Sequence, residues 1–148
     1  MDNNLDLYCQ TFIDTKMDEK EIIKWIQDFI KGKTVSIDAH IKNNFLDIQI
    51  NSNEDYDEVR KMEKKSGFLF YPFYLDIFPS EKVNQNDYIV HIKELFFFLR
   101  GKNCTVVPAC DFEDELEENL IRNGWISSFS YLVSYNAKRF DGSISTMG

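Results

Sequence analysis

Two amphipathic helical stretches set among short alternating strands predict an α+β fold. The best match is a ferredoxin-like two-layer sandwich, with a mostly antiparallel sheet and both main helices on one face. The order read along the chain is strand, helix, two strands, a charged insert, strand, helix, strand and a tail. The 148 residues suit a single domain, with a core over about 5–124 and a C-terminal extension over 125–148. Apolar residues make up 43% of the chain, enough for a core without disulfides or metal.

LDLYCQTFI (5–13) is apolar, with β-branched and aromatic residues, and reads as the first strand. In DEKEIIKWIQDFIKG, Asp18 with Glu21 three residues on resembles a capping box. Ile22, Ile26, Phe29 and Ile30 share a face and Gly32 is a stop, so a helix is predicted over 18–31. TVSIDAHIK (34–42) alternates, with Val35, Ile37, Ala39 and Ile41 on one side. Asn43-Asn44 suits a hairpin turn, and FLDIQIN (45–51) returns with Leu46, Ile48 and Ile50 inward. The charged segment 51–67 is either a solvated loop or a short surface helix from about Asp55.

FLFYPFYLDIF (68–78) is apolar on both faces, the mark of a central strand covered on both sides. Pro72 works against this, because it removes a ladder hydrogen bond and favours an edge or a bulge. Ile89, Ile92, Leu95, Phe96 and Leu99 form a stripe and Gly101 a stop, predicting a helix over 86–100. CTVVPACDF (104–112) is the last core strand. A short acidic helix should follow, carrying Leu116, Leu120 and Ile121 inward and ending near Asn123-Gly124. The tail alternates over about 128–135 as one more strand, and FDGSISTMG reads as a loose end.

Charge is concentrated in CDFEDELEEN, residues 110–119, which holds Asp111, Glu113, Asp114, Glu115, Glu117 and Glu118 and no base. The net charge is −8; with those six set aside, the 25 acids become 19 against 17 bases. The chain is therefore near neutral apart from one acidic patch. Such a patch repels nucleic acid and anionic membrane and attracts basic proteins. Acids at a helix N-terminus favour its dipole, which accounts for two or three of the six. In a helix, Asp111 with Glu115, Glu113 with Glu117, and Asp114 with Glu118 would repel at i, i+4. Both a solvated helix end and a site for a basic partner fit this pattern.

Other chemistry finds little support. Cys9, Cys104 and Cys110 are odd in number and widely spaced, which suggests reduced thiols in a cytoplasmic protein. Those thiols, His40 and His91 do not make a zinc spacing, and the acidic run is no calcium loop, so no metal or other cofactor is expected. Gly-rich phosphate loops and nucleophile motifs are missing, so the chain is not expected to be an enzyme. The acidic, polar N-terminus is no signal peptide, and the apolar run LFFFL (95–99) is far too short to span a membrane. Asp76 and Tyr74, on the aromatic strand, are the alternative: a pocket there would suit a small enzyme or a ligand-binding domain. The second face of that strand, with Phe68, Phe70, Tyr74 and Phe78, needs a cover. The tail, a partner or a second copy in a homodimer could supply it.

The YPFYLDIFPSE strand, the long helix and the strand running into ACDFEDEL give the chain a further likeness. Over roughly residues 5–120 it resembles the small acidic immunity proteins of bacterial toxin systems, including contact-dependent inhibition and polymorphic toxins. The resemblance implies a stoichiometric inhibitor that binds a toxin domain in the cytoplasm. Many toxins of such systems are basic nucleases. The expected contact residues are the six acids of 111–118 with Tyr74 and Asp76.

Overall fold

The computed structural model describes residues 6–31 and 39–116 in full and the backbone of 33–36. The elements are β1 (Cys9–Asp14), α1 (Glu19–Ile30), β2 (Lys33–Ser36), β3 (His40–Lys42), β4 (Leu46–Ser52), β5 (Phe73–Pro79), α2 (Gln85–Gly101), β6 (Thr105–Ala109) and α3 (Glu113–Leu116). Two 3-10 turns, Arg60–Met62 and Gly67–Phe70, precede β5. The expected tail strand lies outside the described residues, as do Glu117, Glu118, Leu120 and Ile121. No helix among the described residues is long and apolar enough to cross a membrane.

The six strands form one antiparallel sheet in the order β2-β3-β4-β5-β1-β6. Side chains alternate across it. Cys9, Thr11 and Ile13 of β1, Leu46, Ile48 and Ile50 of β4, Leu75 and Ile77 of β5 and Val106 of β6 all face the helix layer and are buried. They meet Ile22 and Ile26 of α1 and Ile89, Ile92, Leu95, Phe96 and Leu99 of α2 in one core. The fold is thus α+β, with its two long helices packed together on one face of the sheet.

Local chemistry explains the helix boundaries. Asp18 caps α1 by accepting from Glu21 N at 2.9 Å, and the Glu21 carboxylate reaches back to Asp18 N. The left-handed C-cap is Lys31, one residue before the expected Gly32. Asn84 caps α2 by accepting from Asp87 N at 2.8 Å. The Asn43 side chain closes the β3–β4 turn, accepting from Phe45 N and Leu46 N at 2.8 and 2.7 Å.

Two strands differ from expectation. The stretch 34–42 is not one strand but two, β2 and β3, folded back on each other. Ala39, at φ 58°, takes the left-handed turn between them, so the alternation read through that point does not hold. The stretch 68–78 is likewise divided. Pro72 has no N–H to donate, and only Phe73–Pro79 joins the sheet. The residues before it wind into the second 3-10 turn, whose Phe68, Leu69 and Phe70 are buried against Phe12 and Ala109 on the sheet's other face. Part of the second aromatic face is therefore covered by the segment that supplies it. In β6, the last strand of the order among the described residues, Pro108 sits where a missing donor is tolerated.

Gly67 opens the aromatic turn because nothing larger fits: a Cβ there would lie 2.3 Å from Lys61 O. Gly67→Ala is expected to cost about 1–3 kcal/mol, as overpacking does. Urea unfolding checks this, and an unchanged midpoint would mean the turn is not seated on Lys61.

Candidate functional site

The sheet face away from the helices is built in rows by strand register. One row runs Val107, Phe12, Tyr74, Asn51, and the aromatic turn covers much of it. The next runs Ala109, Gln10, Asp76, Gln49, His40. Beyond it stand Tyr8 and Phe78, whose rings stack with centroids 4.8 Å apart, and Asp47, opposite Phe78. Phe78 is 46% exposed, a large apolar ring held in the open beside polar groups. This outer end of the face is the candidate site.

Asp76 is its polar centre. One carboxylate oxygen accepts from the Tyr8 hydroxyl, the other from Asn51 Nδ2 at 3.0 Å. Burial, reinforced by that contact with Asp76, pushes the Tyr8 phenol far above its ordinary pKa. Asp76 thus positions Tyr8 and Asn51, with both oxygens engaged. Tyr74, placed beside it by the sequence reading, instead packs at the aromatic end, 6.0 Å from the Phe12 ring. His40 pairs with Asp47 across β3 and β4.

The acidic run meets this site through the chain leading into β1. Asp111 accepts from Asp6 N at 3.1 Å, and Asp6 accepts from Tyr8 N at 3.0 Å. Asp6, Asp111, Asp114 and Glu115 are exposed at the end of the sheet where β6 finishes. Glu113 differs from its exposed neighbours: it is 7% exposed and turned inward beside Cys110. Phe112, packed edge-on to Tyr88, anchors the turn beside which Asp111, Asp114 and Glu115 are exposed. Tyr8, Asp6 and Asn51 were not singled out from sequence. Tyr8 had a readable signal, since it shares strand parity with Phe12; Asn51, at the end of its strand, had none.

Cys9, Cys104 and Cys110 are free and buried. The contact with Cys9, then burial, pushes the Cys110 thiol far up, so Cys110 remains a neutral core thiol. Among the described residues, no group of three or more His, Cys, Asp or Glu side chains is gathered to hold a metal. At the opposite end of the sheet a groove of about 900 Å³ is lined by Asp14, Lys16, Glu58, Lys61, Lys102 and Thr105. Lys61 bridges Asp14 and Glu58 there at 3.1 and 3.2 Å. Burial pulls its pKa down, but the two carboxylates prevail and leave it raised.

Tyr8 supplies a pH signature. Its folded pKa lies above the unfolded value of about 10, so its contribution is whole below that pH. As pH rises further the unfolded phenol ionises while the folded one stays neutral, and stability falls. Tyr8→Phe is expected to lower stability by about 1 kcal/mol at neutral pH and to lessen the loss above pH ~10. Urea midpoints against pH measure both; parallel curves for the two proteins would count against the Tyr8–Asp76 contact.

Comparison with protein-family models, with curated proteins and with solved structures finds no match to this chain.

Proposed function

We propose that this chain is an immunity protein, a cytoplasmic stoichiometric inhibitor that binds a basic bacterial toxin domain, with a nuclease the best-suited kind. The observation that carries the reading is the joining of charge to an aromatic anchor. Asp111 accepts from Asp6 N and Asp6 from Tyr8 N, so two exposed acids adjoin the stacked Tyr8 and half-exposed Phe78, and Asp114 and Glu115 are exposed a few residues further along the chain. Among the described residues no Lys or Arg pairs with any of these four acids. Acids of this kind speed encounter with a cationic partner, and exposed aromatics hold the complex once formed. Asp76 supports the site by fixing Tyr8 rather than by acting on a substrate. The reading is of a binding protein without catalysis or cofactor.

The ferredoxin-like arrangement is part of the same proposal. Its support is the spatial order β6-β1-β5-β4, with α1 connecting β1 toward β4 and α2 connecting β5 to β6. The short β2–β3 hairpin is then an addition at the β4 edge.

Replacing Asp111, Asp114 and Glu115 together by Lys is expected to slow association with a co-expressed basic toxin domain by about tenfold or more and to flatten its salt dependence. Phe78→Ala should instead speed dissociation. Surface-capture kinetics at two salt concentrations distinguish these effects. Unchanged rates in both variants would place the contact surface elsewhere.

A further inference from the structure

The helix layer carries a second unusual surface, on the far side of the molecule from the open sheet face. α2 buries Ile92, Leu95, Phe96 and Leu99, yet its opposite side is not fully polar. Phe97 is 83% exposed and Val90 48% exposed. They are seven residues apart, about two helical turns, and so lie on one line along the helix. A lone exposed apolar side chain is ordinary, but two in register facing away from the core form the start of a seam.

Within α2 the charges beside this line are sorted by side, while Lys102, just past its end, lies on the Glu94 flank over the Trp25 and Phe98 rings. Lys93 and Glu94, both exposed, flank it on opposite sides, three and four residues from each apolar position. Asp87 lies on the Glu94 side and Arg100 on the Lys93 side. Arg100 is already turned to its own chain, donating to Val106 O at 2.7 Å and lying over the Phe96 ring. Phe29, 39% exposed and stacked on Phe98 at 4.3 Å, widens the apolar strip. Gly101, at the end of the line, leaves open space where a side chain would be.

We infer that this face of α2 is the seam of a homodimer in which two copies of α2 run parallel about a two-fold axis. Such an axis brings each flank of one helix against the opposite flank of the other. Lys93 then meets Glu94 of the second copy and Glu94 meets its Lys93, two reciprocal ion pairs around a strip of Val90 and Phe97. An antiparallel pair would set Lys93 against Lys93 and Glu94 against Glu94, which the charges forbid. The sorting of charge therefore selects both the occupant, a second copy of this chain, and its direction. The seam leaves the Tyr8–Phe78 end of the sheet open, and the inference is independent of the proposed function.

Sedimentation velocity of the full chain over a micromolar concentration series tests it. Wild type should show a reversible monomer–dimer equilibrium. Lys93→Glu alone and Glu94→Lys alone should each weaken the dimer by about tenfold or more, since each places like charges across both pairs. The double exchange, Lys93→Glu with Glu94→Lys, should restore it. Phe97→Lys should give monomers. All these side chains are exposed, so urea midpoints taken at concentrations too low for the dimer to form should match wild type. A wild-type chain that stays monomeric throughout overturns the inference. So does a dimer that ignores the single reversals, which would indicate another surface, or a double exchange that fails to recover.

Discussion

The Tyr88 hydroxyl lies 2.5 Å from Leu7 O and 3.1 Å from Ile77 O, tying α2 at once to the lead-in of β1 and the end of β5. Tyr88 is fully buried, so these carbonyls are its means of satisfying a polar group that burial would otherwise penalise. The constraint reaches well beyond one bond. β1 lies between β5 and β6, and a slip of one residue would turn Tyr8 and Phe12 under the helices and expose Cys9, Thr11 and Ile13. Holding Leu7 and Ile77 to one hydroxyl fixes that parity. Everything on the open face, from the Phe12 cluster to the Tyr8–Asp76 contact, depends on it.

The covered half of the molecule was legible because its signals are local and periodic. The stripe Ile89, Ile92, Leu95, Phe96, Leu99 and the Asp18–Glu21 cap each predict what is found, within about a residue at the helix ends. The strands were harder. Nothing in TVSIDAHIK marks Ala39 as the left-handed residue, since a turn is expected at Gly or Asn. The run before Pro72 looks like strand by composition, and only its packing onto Phe12 makes it a buried turn. Propensity yields there to tertiary contact.

The site was half legible for a related reason. Excess charge is a property of composition, so the acidic run stood out at once. Which of its members face outward is a property of where Phe112 and Leu116 pack, and that turns Glu113 inward. Asp76 stood out as an acid on an aromatic strand, but its partners come from Tyr8 and Asn51, distant in sequence and joined only by strand register. Phe97 was hidden inside LFFFL, where a run of apolar residues disguises the fact that a helix must turn one of them to water.

The two ends of the sheet treat negative charge in opposite ways, and the contrast bears on what the acidic end is for. At the groove end, Asp14 and Glu58 converge on Lys61, whose side chain is mostly buried between them; the acids are neutralised within the chain and the turn-bearing insert is pinned to β1. At the β6 end, the partner of Asp111 among the described residues is a backbone N–H, and the residue that supplies it is another acid, Asp6. That contact fixes geometry while leaving charge in place, even adding to it. A fold able to place a lysine across one pair of carboxylates could have done so again at little cost, since exposed ion pairs are worth at most about 1 kcal/mol. Under the proposed reading, a cationic surface would gain the field of these acids, which among the described residues have no Lys or Arg to be displaced first.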